Sequence, residues 1–162
     1  MNNYRKATPE DLETIWNQDI ADHPGDANWL RWKGQFIAAN QTGAYATFVT
    51  VIDDVPVGQG TLLCTPDCPA IRGRLELADG KTTVNINALR IRKEHEGQGH
   101  ISKMVRKMEA YARSAGYSTI TIGVEAAEAR NLGIYLHWGY TEYVMHEEDE
   151  DGLVLYYRKE LA

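Results

Sequence analysis

The sequence predicts an α+β fold built on a mixed, mostly antiparallel sheet, and three observations carry that prediction. An apolar-alternating run from Thr83 to Ile91 passes through a Gly-X-Gly turn into an amphipathic helix, then into a second alternating run, Ser118 to Val124. Such a strand, helix, strand crossover makes the two strands parallel when they share a sheet. Before it, Tyr45 to Asp53 and Val55 to Leu63 read as an antiparallel hairpin; after it, Tyr140 to His146 and Leu153 to Lys159 read as another.

At 162 residues with 43% hydrophobic content, the chain suits a single domain, 1–162, with an ordinary core and no linker. Its 23 acidic and 17 basic residues give a net charge of -6 with no Lys or Arg stripe, which argues against a nucleic-acid partner. A neutral or cationic partner is easier to accept. The opening MNNYRKATPEDLE has no apolar signal core, and no run of about 18 apolar residues is present to cross a bilayer. A cytoplasmic, soluble protein with no membrane partner is expected. Cys64 and Cys68 stand as Cys-Thr-Pro-Asp-Cys without a second Cys or His pair nearby, so two reduced thiols are expected rather than a metal. His23, His95, His100, His137 and His146 lack His-Glu-x-x-His spacing, and no Gly-x-Ser-x-Gly turn occurs. Metalloenzyme and hydrolase readings start weak.

Asn3 to Ala7 reads as an opening strand. Thr8-Pro9-Glu10-Asp11 then starts a helix, with Thr8 suited to the cap, Pro9 to the first turn and the acids to the positive end. Leu12, Ile15, Trp16 and Ile20 form its apolar stripe, and His23-Pro24-Gly25-Asp26 stops it. A second helix, about Asn28 to Asn40, carries Trp29, Trp32, Phe36 and Ile37 and ends before Gly43. Core packing is the simpler reading of these tryptophans. The functional one is an aromatic wall for an acceptor molecule, with Asp22, His23 and Asp26 in the intervening loop.

Asp53-Asp54 turns the first hairpin, and Pro56 marks a strand start or an edge. Thr65 to Lys81 reads as loop, with Arg74 to Leu77 able to extend a strand. The helix after the glycine turn runs to Ala115 and is closed by Gly116. A further helix, Glu128 to Trp138, is closed by Gly139. The last hairpin turns through Glu147-Glu148-Asp149-Glu150-Asp151-Gly152, a solvated acidic turn or a lure for a polycation.

The rest of the chain is organised around Ile86 to Ser102, INALRIRKEHEGQGHIS. Gly97 and Gly99 place bare backbone at the start of a helix whose Ile101, Met104, Val105, Met108 and Ala112 share one face. A helix start carries unpaired N–H groups and partial positive charge, so it can hold a pyrophosphate through amides alone. A tight turn that binds nothing would use the same glycines. In a parallel crossover this turn lies beyond the carboxyl end of its strand, where ligands gather.

The run LRIRKEHEGQGHISKM, Leu89 to Met104, resembles the strand end and pyrophosphate loop of the GNAT superfamily of acetyl-CoA-dependent N-acetyltransferases. The family pattern is Arg or Gln, two residues, Gly, one residue, then Gly or Ala. Tyr135-Leu136-His137-Trp138-Gly139-Tyr140 is similar to its later Tyr-x-x-x-Gly-aromatic ending, and the element order is similar along almost the whole chain. Glu96 departs from the Arg or Gln, Ile101 from the final Gly or Ala, and Glu128 from an Asn seven residues before the Tyr. Asn131, one turn before Tyr135, is its candidate substitute.

The resemblance implies a three-layer fold with helices on both faces and a parallel strand pair that splays. It implies acetyl-CoA as co-substrate, contacted at Leu89, Ile91, Glu96, Gly97, Gln98, Gly99, His100, Ile101, Ser102 and Asn131, with no metal. It further implies acetyl transfer to the primary amine of a small molecule by direct attack through a tetrahedral intermediate. Terminal strands that pair in a homodimer, as often among relatives, belong to the same expectation.

That chemistry makes three demands. An amine of pKa ~10.4 is neutral in only about one molecule in two thousand at pH 7, so a base, a water chain or a desolvating pocket must help. Strand N–H groups near Leu89 and Ile91 suit the oxyanion. Tyr135, a phenol of pKa about 10, suits protonation of the departing thiolate, although on spacing alone a core tyrosine is the simpler reading. The base stays open: the fourth-strand position where some members carry Glu holds Asn85, leaving Glu76, Glu125 or His23 acting through water, or ordered water alone. Two rivals stand beside this reading. A catalytically silent GNAT-like CoA-binding or protein-interaction module is suggested by Glu96, Ile101 and Asn85. A Rossmann-like nucleotide binder is disfavoured by the two hairpins and the lack of Gly-x-Gly-x-x-Gly.

Overall fold

The structure is a computed structural model that describes residues 1–150 and 152–162. Asp151, the last acid of the predicted turn, lies outside the described residues. The elements follow as β1 (Asn2–Lys6), α1 (Pro9–Asp22), α2 (Ala27–Thr42), β2 (Tyr45–Ile52), β3 (Val55–Leu63), β4 (Thr83–Ile91), α3 (His100–Ser114), β5 (Thr119–Glu125), α4 (Ala129–His137), β6 (Glu142–Asp149) and β7 (Gly152–Glu160). The seven-stranded sheet is mixed, in the order β1-β2-β3-β4-β5-β7-β6, with β4 and β5 parallel. The predicted α+β class is the observed one. By contacts the chain divides into two compact units, Met1–Leu62 with Ala88–Ala110 and Leu63–Asn87 with Tyr111–Ala162.

In the first unit, β1 pairs antiparallel with β2 from Asn2↔Ile52 to Lys6↔Phe48. Asp53 and Asp54 have φ of 50° and 66°, the left-handed pair of a type I′ hairpin turn that Asp tolerates. Pro56 is buried one residue into β3, an interior strand, so it marks the strand start and not an edge. The start of α1 is a capping box: Asp11 N–H donates to Thr8 Oγ1 at 3.1 Å, and Thr8 N–H to Asp11 Oδ2 at 2.8 Å. Leu12, Ile15, Trp16, Phe36, Val49, Met104 and Met108 fill the core. Adjacent β3 residues show the two sheet faces. Gln59 Nε2 reaches Asp19 of α1 at 3.3 Å, whereas a Cβ on Gly60 would lie 2.8 Å from Leu89 Cδ1 and 3.0 Å from Met108 Sδ of α3. Because consecutive strand residues face opposite ways, α1 and α3 cover opposite faces of β3.

In the second unit, β4 pairs with β5 from Thr83↔Thr119 to Ile86↔Ile122, β5 with β7 from Thr119↔Glu160 to Glu125↔Val154, and β7 with β6. Val84, Ile86, Ile120, Ile122 and Tyr140 are buried there. Arg74 to Leu77 do not extend a strand; they fold as turns that drop Leu77 and Ala78 into the core. Leu77 N–H closes that turn on Arg74 O. The Asp79 carboxylate accepts the N–H groups of Lys81, Thr82 and Thr83 at 2.9, 2.8 and 2.9 Å and the Thr82 hydroxyl at 2.8 Å, which winds the chain into β4. No helix among the described residues is long and apolar enough to cross a membrane.

Candidate active site

Val84 to Ile86 of β4 are buried, but Leu89, Arg90 and Ile91 are only half-buried, and the change coincides with a break in the strand. Pairing to β5 runs no further than Ile86, and Ala88 takes a left-handed φ of 53°. A non-glycine residue held there costs about 1–3 kcal/mol, a strain that persists only where the surroundings enforce it. A 3-10 turn, Lys93–His95, then leads to the glycines.

Gly97 and Gly99 have φ of 75° and 82°, and a Cβ on either would meet nothing within 4 Å, so backbone conformation rather than packing requires them. Lys103 N–H donates to Gly99 O at 3.2 Å and closes the first turn of α3. The N–H groups of His100, Ile101 and Ser102 before it are the donors every helix start leaves without a helical acceptor. Glu96 is exposed, its side chain in solvent. Ile101 and Ser102 are half-buried, and Ser102 Oγ accepts Arg106 Nη2 at 3.2 Å. The His100 ring is buried: Nε2–H donates to Gln98 Oε1 at 3.2 Å, and Tyr4 OH donates to Nδ1 at 2.8 Å. Burial, then His95 and Lys103, push its pKa below the ordinary histidine value. Its side chain anchors the start of α3 to β1, which leaves its amide as the part available to a ligand. The turn brings Glu96 to Ser102 together with amide donors and left-handed glycines, a composition that suits a pyrophosphate, with the exposed acid Glu96 at its start.

Asn131 and Tyr135 lie in the second unit, on α4, with Asn131 exposed and Tyr135 half-buried. Burial and then the Glu128 charge push the Tyr135 phenol above its ordinary pKa, so it stays protonated through neutral pH. Its carbonyl accepts Tyr140 N–H at 3.0 Å, tying the end of the helix to buried Tyr140. Asn85 is a framework residue: it is buried, and Nδ2 donates to Thr121 Oγ1 at 2.9 Å while Thr121 donates to Leu77 O at 2.8 Å. Glu76, Glu125 and His23 are all exposed. In the acidic turn, Glu147 accepts from Arg72 at 2.7 Å, Arg74 at 2.6 Å and the Tyr156 hydroxyl at 2.8 Å, so its charge is already answered within the chain. Cys64 and Cys68 are free thiols, and no cluster of three His, Cys, Asp or Glu among the described residues suits a metal.

Sequence reasoning named the tryptophans and His23 as a candidate acceptor wall but passed over the polar residues that join them in the first unit, Asp19, Gln59 and Arg90. Asp19 Oδ2 accepts Arg90 Nη2 at 2.6 Å, Arg90 Nε at 3.2 Å and Gln59 Nε2 at 3.3 Å. The Arg90 guanidinium lies over the Trp16 ring at 4.6 Å and the Trp29 ring at 5.2 Å, and His23 stacks on Trp29 at 4.0 Å. The tryptophans thus divide: Trp16 is core, at 1% exposed, while Trp29 remains half-open. The signal was available, since Arg90 is a charge within an otherwise apolar strand pattern, and Trp16 and Asp19, three apart, share a helix face.

Residues 5–140 match the model of the acetyltransferase (GNAT) family, and the chain belongs to that family. It is an acetyltransferase of that family. Among solved structures it is similar to an N-acetyltransferase from Staphylococcus aureus, with 18% identity over 100% of this chain and 99% of that one and a TM-score of 0.68. It is also similar to the PaiA N-acetyltransferase of Thermoplasma acidophilum in complex with coenzyme A, with 14% identity over 99% of each chain and a TM-score of 0.65. The ribosomal-protein-alanine N-acetyltransferase of Brucella melitensis matches at 15% identity over 98% of this chain and 99% of that one, with a TM-score of 0.71. At such identities these likenesses define the fold. No curated protein sequence matches the chain.

Proposed function

We propose that the protein moves the acetyl group of acetyl-CoA to the primary amine of a small molecule by direct attack through a tetrahedral intermediate, with residues 1–162 acting as one acetyltransferase domain. The observation that carries this reading is the turn at Gly97 and Gly99, whose left-handed glycines open α3 beside its orphan amides. In this reading the amides of Glu96 to Ser102 hold the CoA pyrophosphate, with Asn131 of α4 as a further contact. Backbone groups at Leu89 and Ile91, beyond the break at Ala88, hold the thioester end and the developing oxyanion. Tyr135 supplies the proton to the departing thiolate, a role supported by its raised pKa. Asn85 is committed to Thr121, so the proton of the attacking amine leaves through water or an exposed group such as His23.

The same reading has the enzyme work in the cytoplasm. A homodimer built through terminal strands is supported by β6, which ends the strand order and carries Tyr143 at 50% exposed; light scattering tests it. The test of function is calorimetric titration with acetyl-CoA, with desulfo-CoA and ATP as comparisons, followed by thiol release against a panel of amines. Binding selective for the CoA family with turnover of an amine supports the proposal. Absence of binding at millimolar ligand and of turnover with any amine defeats it.

A further inference from the structure

We infer that the acceptor carries a carboxylate beside its amine, in the manner of a free amino acid, and that Arg90 selects it; this rests on the acetyl-transfer reading above. The geometry of the Arg90 and Asp19 pair is the starting point. An Arg–carboxylate pair reaches its full strength as a fork, with two N–H groups on two oxygens. Here Nε and Nη2 both go to Asp19 Oδ2, at 3.2 and 2.6 Å. Among the described residues Arg90 Nη1 therefore has no acceptor and Asp19 Oδ1 has no donor. The pair is not sealed off, since the Arg90 side chain is 27% exposed and that of Asp19 16%.

The second observation is independent of that pair. Trp16 Nε1–H and Gln59 Oε1 are buried and without a partner, on residues 1% and 0% exposed, although buried polar groups are paired almost everywhere in folded proteins. Both belong to the same cluster: Gln59 Nε2 donates to Asp19, and the Trp16 ring carries the Arg90 guanidinium. Around the Arg90–Asp19 pair two donors, Arg90 Nη1 and Trp16 Nε1, and two acceptors, Asp19 Oδ1 and Gln59 Oε1, are without a partner among the described residues.

That balance matches a ligand with both an anionic and a cationic or N–H-bearing group. A polyamine offers only N–H donors, which would leave Arg90 Nη1 and Trp16 Nε1 without an acceptor. The guanidinium lies against both the Trp16 and Trp29 rings, contacts that restrain a planar group suited to a carboxylate. At the rim, His23 stacks on Trp29 and its Nδ1–H donates to Asp19 O at 2.8 Å, which leaves Nε2 as the ring nitrogen not engaged with Asp19. Arg90 follows Leu89 on the segment proposed to hold the thioester, so a carboxylate anchored there keeps its amine next to the reacting strand.

The experiment compares initial rates for a set of α-amino acids, the matching carboxamides and a linear polyamine, with acetyl-CoA binding measured in parallel by calorimetry. Amino acids should exceed their carboxamides by roughly tenfold or more in kcat/KM. Arg90→Gln should erase that difference through KM while acetyl-CoA affinity stays within about twofold. Equal rates for acid and amide, or a polyamine as the best acceptor, overturn the inference and leave acetyl transfer standing; so does acetyl-CoA binding without turnover of any acid. Failure of the wild-type protein to bind acetyl-CoA overturns both. Should Arg90→Gln not fold, the acid-against-amide comparison in the wild-type protein decides alone.

Discussion

Replacing Gly99 with alanine isolates one physical quantity. Its φ of 82° lies where an L-residue with a Cβ is disfavoured by about 1–2 kcal/mol, and the space around the new methyl is open, so no packing clash is added. The cost has two places to appear. If the turn keeps its shape, unfolding free energy falls by about 1–2 kcal/mol. If the turn relaxes, the binding-competent form becomes rarer and the apparent Kd for acetyl-CoA rises by the equivalent factor, about 5–30-fold. Urea unfolding and calorimetric titration on the same preparation measure both, and their sum should fall within about 1–2 kcal/mol. A variant with unchanged stability and unchanged affinity would show that the left-handed glycine does not build the cradle.

Tyr135→Phe should lower kcat by roughly 100-fold or more while leaving the acetyl-CoA Kd nearly unchanged, as steady-state rates and calorimetry would show. Because the phenol is raised above its ordinary value, wild-type kcat should hold level with rising pH through about pH 9; a fall assigned to Tyr135 below that would contradict the role. Asp79→Ala should cost about 1–3 kcal/mol in urea unfolding, since it strips a carboxylate from three N–H groups and a hydroxyl. Burial works to raise the Asp79 pKa, but those donors outweigh it and hold it well below the ordinary range. A depressed folded-state pKa contributes stability that is complete above the unfolded pKa, about 3.9, and is lost as pH falls through the folded value. The gap between wild type and Asp79→Ala should therefore narrow only below about pH 4. Gly60→Ala pushes a methyl to 2.8 Å from Leu89 Cδ1 and 3.0 Å from Met108 Sδ, so it should lower stability by about 1–3 kcal/mol and lower Tm.

The parts of the molecule legible in the sequence are those written locally. The bounds predicted for β4 are the observed ones because alternation and turn chemistry agree there, and the α1 start is local because Thr8, Pro9 and Asp11 supply the whole cap. Arg74 to Leu77 mislead because alternation over four residues is weaker than the turn closed by Leu77 N–H on Arg74 O. The left-handed Ala88 carries no sequence signal, since alanine is the best helix former and an ordinary strand residue. His100 had only its backbone in view; the Tyr4 hydroxyl that orients its ring lies 96 residues away. Glu147 read as a free charge because its partners, Arg72 and Arg74, are 75 and 73 residues distant.

The charges around Arg90 follow from a conflict within α1. Asp19 and Asp22 lie in its last turn, where the helix macrodipole disfavours acids by about 0.3–1 kcal/mol each, and no basic residue in that turn offsets them. Arg90 and Arg92, two apart at the end of β4, supply the missing charge, with Arg90 on Asp19 at 2.6 Å and Arg92 on Asp22 at 3.2 Å. The two pairs are not equivalent. Arg92 also reaches Glu94 at 3.1 Å and Gln18 at 3.4 Å, and Asp22 is 51% exposed, so that pair is a screened surface latch. Among the described residues each pair leaves one guanidinium nitrogen without an acceptor, Arg90 Nη1 and Arg92 Nη2, so that alone does not separate them. What sets Arg90 apart is that its guanidinium lies against the Trp16 and Trp29 rings and that its partner Asp19 is 16% exposed.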